Sequence, residues 1–331
     1  MEKIAMEKRS ESIQEVLDFI SYVKMTKPYF KTMKLDEIAK DLKYNRKKLK
    51  KIFKLMQTLE TAKIGAVLDY RKLGLDTYIL EIKPKKAGNA FKVLELLSDF
   101  EGVFSAYLIS SDCLNIKVKF KVKPKHLEKM LYSLEKHLKG YAEPIVTIPV
   151  WKTYVEQCIP ITEKMPSKTL KVDERDWEIL KMLVRNSQVK LRDISKKLGI
   201  SEPSVYSRLK RIRNSGVILG YEATNIWKNV PKGQFNPKLM RTMITAKIDP
   251  KEIPKIIAWI LSSKYAPGIR SAYETYGNEN FSFSMVTGKV FELEKFIEEL
   301  TKKFDFRKLD VGVMLGMKWK HHALGYEFVK P

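Results

Sequence analysis

The sequence predicts an α+β protein in which two winged helix-turn-helix units alternate with two ferredoxin-like βαββαβ units. Three observations carry this: a repeat at an offset of 156 residues, matching strand and helix patterns behind it, and a basic helix in each half. Leu35, Ile38 and Leu42 share the spacing of Leu191, Ile194 and Leu198, and the same offset carries Leu49, Phe53 and Met56 onto Val205, Leu209 and Ile212. A period this long marks a duplicated structural unit.

Each match follows a one-sided helix, "IQEVLDFISYVK" in one half and "ERDWEILKMLVRN" in the other, both with the 3.6-residue apolar period. Behind the first match come strand "TYILEIK", helix "NAFKVLELLSDF", strands "VFSAYLIS" and "LNIKVKFKV", helix "KHLEKMLYSLEKHL" and strand "PIVTIPV". Behind the second come strand "MRTMITAKI", helix "KEIPKIIAWILSSK", strands "IRSAYETY" and "FSFSMVT", helix "ELEKFIEELTKKF" and strand "LDVGVML". Both runs have the split-βαβ order, and their alternating apolar residues suit sheets covered by helices on one face. The expected boundaries are a helix-turn-helix over 10–75, an αβ unit over 76–157, a proline-containing linker over 158–170, a second helix-turn-helix over 171–230 and a second αβ unit over 231–331.

The two basic helices, 45–58 and 201–215, are the candidate DNA readers. In the second, Val205, Leu209 and Ile212 form the packing face, Ser201 is an N-cap, Pro203 sits in the first turn, and Gly216 stands where a left-handed stop is needed. In such a motif the N-terminal part of the helix meets base edges and the remainder meets phosphates. Ser204, Tyr206 and Ser207 therefore fall to base or sugar contact, and Lys210, Arg211 and Arg213 to the backbone, with the cap Ser201 counted among the DNA-binding residues. Arg208 lies too near the packing face to reach a base. The first half offers Asn45, Arg46, Lys47, Lys48, Lys50, Lys51 and Lys54 around a stripe of Leu49, Ile52, Phe53 and Met56. Lysines are point charges that hold phosphates better than they discriminate bases, so this helix is expected to supply affinity and the other more of the sequence preference.

Composition agrees. The chain of 331 residues carries a net charge of +24, shared between its halves, which favours a polyanionic partner. Cys113 and Cys158, with no CxxC spacing, make neither a zinc site nor a disulfide framework and suit a reducing cytoplasm. No apolar run has membrane-spanning length, and no secretory leader, phosphate loop or acid–base pair is evident. A cytoplasmic, nucleoid-associated protein without cofactor or metal is expected. His321 and His322 read as tail residues, and Tyr107, Phe120, Tyr273, Phe281 and Phe283 as core or pairing-surface aromatics.

Residues 171–315 resemble the leucine-responsive regulatory protein/AsnC family of transcription regulators, through "VDERDWEILKMLVRNSQVKLRDISKKLGISEPSVYSRLKRIRNSGVILGYEA" and the βαββαβ order behind it. The resemblance implies a DNA reader joined to an αβ domain that pairs through its sheet and often senses an amino acid. The family's effector turn falls at Gly277, Asn278, Glu279 and Asn280, where asparagines replace both usual aspartates. Residues 13–150 resemble the family more loosely, and "KIGAVLDYRKLG" from Lys63 to Gly74 also looks like the siroheme decarboxylases, with Tyr70 where a histidine is expected. Three function classes follow: a sequence-specific regulator, a general chromatin-type DNA binder and a tetrapyrrole enzyme. The αβ units can pair within one chain, as a pseudo-dimer, or between chains of a homo-oligomer.

Overall fold

The computed structural model describes residues 2–26, 29–59, 62–100, 103–110, 114–161, 169–225 and 240–319. His321 and His322, Cys113, most of the expected linker and part of the turn between Ser110 and Asn115 lie outside these residues.

The first half runs α1 (Glu2–Thr26), α2 (Leu35–Asp41), α3 (Arg46–Leu59) and β1 (Ala62–Leu68). It continues with β2 (Asp76–Ile82), α4 (Ala90–Asp99), β3 (Val103–Ser110), β4 (Leu114–Val122), α5 (Leu127–Leu138), β5 (Val146–Glu156) and the two-residue β6 (Ile159–Pro160). The second half repeats the plan with α6 (Glu174–Arg185), α7 (Leu191–Leu198), α8 (Glu202–Asn214) and β7 (Ile218–Asn225). Behind them stand β8 (Met240–Lys247), α9 (Ile253–Ser262), β9 (Ile269–Thr275), β10 (Phe281–Thr287), α10 (Val290–Lys303) and β11 (Lys308–Trp319). The repeat read in the sequence carries α2 onto α7, the start of α3 onto that of α8, and the start of β1 onto that of β7.

Within each half the four long strands of the αβ unit take the order fourth, first, third, second: β5-β2-β4-β3 and β11-β8-β10-β9. The fourth strands do more than close their own sheets. β5 pairs with β2 from Glu81↔Val146 to Tyr78↔Pro149, then crosses to β9 from Val150↔Thr275 to Val155↔Ala272. β11 pairs with β8 up to Val313↔Thr242, then with β3 from Val313↔Ser110 to Trp319↔Ser105. Eight antiparallel strands thus form a closed ring, and the two αβ units pair within one chain. This is why β5 and β11 outrun the strands expected at 144–150 and 309–315. Each is two half-strands end to end, and each of the eight strands has a paired neighbour on both sides.

Polar positions of these strands face one another across the ring. On β4, Val118, Phe120 and Val122 pack into the core with Val93, Leu97, Met130 and Leu134 of the helices. The alternate residues Lys119 and Lys121 are nonetheless buried. Glu156 on β5 takes both ammonium groups, at 3.3 Å from Lys119 and 2.8 Å from Lys121. Lys119 also donates toward the hydroxyl of Tyr273 on β9, and Lys121 lies 4.1 Å from the Tyr70 ring centroid. Of the five strand aromatics, Phe120, Phe281 and Phe283 join the cores under the helices, whereas Tyr107 lines a small void between the sheets with Arg241 and Arg270.

The expected linker begins too early. Cys158 and Ile159 are buried, Ile159–Pro160 pairs back on β5, and the Cys158 amide donates to the Arg270 carbonyl. A chain that must close the ring against β9 stays ordered past its last ladder residue.

Candidate nucleic-acid interface

The helix-turn-helix units share their walls. β7 does not fold back on its own unit as a separate wing. It pairs antiparallel with β1 of the other half, from Ala62↔Asn225 to Leu68↔Ile218. A lone strand leaves every backbone group unsatisfied, and each exit strand here supplies what the other lacks. Ala66 and Leu68 of β1 therefore sit in one core with Trp177, Leu180, Ile194, Val205, Leu209 and Ile212. Tyr221 and Ala223 of β7 pack into the other, with Ile38, Leu49, Ile52 and Phe53. The approach is so close at Gly65 that any Cβ would collide with the Val184 carbonyl.

Helix α8 is held at both ends. The Ser201 hydroxyl accepts from the Ser204 amide at 3.4 Å, and Gly216 takes the left-handed φ of +69° that closes the helix. Its buried stripe is Val205, Leu209 and Ile212, each contributing about 1.5–3 kcal/mol through burial. A second clamp was not read in the sequence. Asp173 caps α6 by accepting from the Asp176 amide at 2.8 Å, while Asp176 answers the Asp173 amide at 3.1 Å. The two carboxylates then take Arg208 at 2.7 Å each, and Arg211 pairs with the buried Asp176 while donating to the Lys171 carbonyl at 3.0 Å. Burial pushes the Asp173 carboxyl up, but the Asp176 amide and Arg208 outweigh it and hold it below the usual carboxylate range. The D-x-x-D spacing of "VDERD" was the available signal, a reciprocal helix start.

Arg211, expected on the DNA backbone, seats α8 against α6 through its guanidinium while its side chain stays 45% exposed. Arg208 does the same, as its place near the packing face implied. The surface left open carries Ser201, Tyr206, Ser207, Lys210 and Arg213, with Ser204 half-buried beside them. Tyr206 is 57% exposed, a large aromatic ring that no core claims. Lys210 and Arg213 have no ion pair among the described residues.

In the first half, α3 buries Leu49, Ile52, Phe53 and Met56 and exposes Arg46, Lys47, Lys48, Lys50, Lys51 and Lys54. The Asn45 side chain accepts from the Lys48 amide at 3.1 Å, so it is the cap of α3. Arg46 pairs with Asp36, Lys51 with Glu15 at 2.8 Å, and Lys48 lies 5.6 Å from the Tyr44 ring centroid. Lys47, Lys50 and Lys54 form no ion pair among the described residues.

At the turn compared with an effector site, the side chains serve the fold. The Asn280 amide brackets Ile248, accepting from its N–H at 3.0 Å and donating to its carbonyl at 2.7 Å. Glu279 takes Lys308 at 3.0 Å and faces Lys117 of the first half at 3.9 Å. Gly277 has a φ of +147°, and Asn278 is exposed.

Residues 172–218, which hold this capped, cationic and hydroxyl-bearing helix, match the family of winged helix-turn-helix DNA-binding domains. The chain is 29% identical over 131 residues to the HTH-type transcriptional regulator FL11 of Pyrococcus furiosus, a stretch covering 38% of this chain and 78% of the regulator. A solved structure of Escherichia coli AsnC aligns with 44% of this chain and 94% of its own, at 19% identity and a TM-score of 0.36. The siroheme decarboxylase NirDL aligns over 96% of both chains, at 16% identity and a TM-score of 0.61. That last likeness is one of fold, and it extends over the doubled plan. Among the described residues no helix is long and apolar enough to cross a membrane.

Proposed function

We propose that this protein is a DNA-binding transcription regulator of Lrp/AsnC type, built as an intramolecular pseudo-dimer with two unlike reading heads. The observation that supports it best is the open face of α8. Its packing stripe and both clamping arginines are spoken for, yet Tyr206, Ser207, Lys210 and Arg213 stand clear of the protein. An N-terminal hydroxyl and aromatic set followed by cations matches the order in which a recognition helix meets bases and then phosphates. The face of α3 supports a second head of another kind, with Lys47, Lys50 and Lys54 tracking the backbone and little beside them to read bases.

The experiment compares two double variants on a specific and a competitor duplex at fixed salt. Ser204→Ala with Ser207→Ala relaxes base preference by about 1–3 kcal/mol per lost contact. Lys47→Ala with Lys50→Ala weakens binding to all sequences alike and flattens the salt slope. Equal behaviour of the two pairs overturns the division of labour. A specific-to-competitor ratio near one in the unaltered protein points to the general chromatin-type binder instead.

The full-length likeness to a decarboxylase fold supports a second reading, a tetrapyrrole enzyme. Against it, Tyr70 occupies the position expected for a histidine and is buried, edge-on to Phe104 with centroids 5.5 Å apart. Uptake of haem or sirohaem, followed by its visible spectrum, separates this reading from the regulator.

A further inference from the structure

The second αβ unit holds a cavity of about 440 Å³ that the DNA-binding reading does not use. It opens between the short 3-10 turn Ala266–Gly268, the end of β10 and the first turn of α10, and is lined among others by Tyr265, Met285, Thr287, Lys289, Phe291 and Lys295. That volume lies within the range of small-molecule pockets, roughly 300–1,000 Å³. It is also separate from the Gly277–Asn280 turn. The two lie at opposite ends of β9 and β10, seven residues each, which is roughly 20 Å at 3.3 Å per residue.

The lining has a definite chemistry. Phe291 is 58% exposed, an aromatic ring on a helix surface where a charged residue would cost nothing. Lys295 lies 4.3 Å from its centroid, and neither Lys295 nor Lys289 has an ion pair among the described residues. The one acid of the lining, Glu292, is already engaged, accepting from the Gly288 amide at 2.8 Å. Lys264 at the rim is paired with Glu299 at 2.9 Å. The Thr287 hydroxyl is buried, in a residue 3% exposed, and has no hydrogen-bond partner among the described residues. A buried hydroxyl left in this state is unfavourable until a guest or a small rotation gives it a partner. Lys289 and Lys295, the latter also in the field of Glu298 and Glu299, stand beside open aromatic surface and suit an anion with a ring-sized apolar body. Finally, α1 of the first helix-turn-helix, which packs chiefly on α3 and β7, also touches the same Ala266–Gly268 turn, so the pocket wall meets the first head.

We propose that this pocket binds a small organic anion, an apolar or aromatic body carrying a carboxylate or sulfonate, and that occupancy changes the seating of α1 and thereby DNA affinity. The binding half stands on the pocket alone, and the coupling half rests on the DNA-binding reading above. The probe for the first is 1-anilinonaphthalene-8-sulfonate, whose fluorescence rises on entering an apolar site. It should saturate at one site per chain, be displaced by 3-phenylpropionate and resist 3-phenylpropanamide, which lacks the charge. Phe291→Ala and Lys295→Glu, both at surface positions, should each weaken it about tenfold, while Lys302→Glu, elsewhere on α10, should not. Absence of saturable binding, or binding indifferent to Phe291 and Lys295, overturns the site. For the second half, saturating 3-phenylpropionate should shift the DNA dissociation constant several-fold in the unaltered protein and leave Phe291→Ala unmoved. Binding of the acid without any shift overturns the coupling and spares the site. Failure to bind DNA under any condition overturns the regulator reading instead, and the fluorescence result still stands.

Discussion

Lys119 and Lys121 show how far two side chains two residues apart can diverge. Burial works against both ammonium groups. At Lys119, Glu156 and the Tyr273 hydroxyl outweigh it and hold the proton above the ordinary lysine value. At Lys121 burial prevails over Glu156, and the group is pushed down to about 8. Between about 8 and its unfolded value of 10.5, the unfolded chain keeps a proton on residue 121 that the folded chain has shed. Stability from this group therefore rises with pH across that window. Urea unfolding at several pH values checks this, with the rise expected to vanish in Lys121→Met. Removing the shared anion is harsher. Glu156→Gln leaves two buried lysines without their counter-charge and is expected to cost about 3–5 kcal/mol. A cost below 1 kcal/mol in the same assay would mean that the ring admits water there.

Among the elements, the ribbon of β1 and β7 is the least forgiving. Gly65 lies against the Val184 carbonyl of α6 and Gly220 against the Phe30 carbonyl near α2, so each exit strand is pressed onto the opposite unit. Gly65→Val is expected to cost about 1–3 kcal/mol or more by overpacking. A lowered melting temperature would show it. Much at this scale was legible. "VFSAYLIS", "LNIKVKFKV" and "FSFSMVT" are strands over the residues expected, because strict alternation under covering helices leaves a two-residue period little freedom. The packing stripe of α8 was legible for the same reason at a period of 3.6. What was not legible is the destination of polar side chains. The run Lys117, Lys119, Lys121 has the alternation of any one-sided strand, and only closure of the ring turns that face inward. Arg211 is spelled like any phosphate-binding arginine, and its partner Asp176 sits 35 residues earlier. Contacts between distant segments leave no mark on local periodicity.

For the whole molecule, the sharing of strands between halves sets the expectation. No unit owns its own perimeter: β5 serves β2 and β9, β11 serves β8 and β3, and β1 lies in the core of the opposite head. Heat is therefore expected to unfold the described parts in one cooperative transition, with calorimetric and van't Hoff enthalpies agreeing. Two separated transitions would show that the halves hold themselves together without this exchange. The sequence left open whether the αβ units pair within a chain or between chains. Half-strand pairing of β5 and β11 answers it for the single chain, through contacts that no one segment encodes.

A ring closed by one polypeptide also abolishes interchangeability. Two copies of a single gene product meet as equals, and anything they grip they grip alike from either side. Here the partner is covalently guaranteed, so one side was at liberty to keep serines and a tyrosine while the other filled with lysine. Such an object has a front and a back, and whatever it lies along acquires a direction.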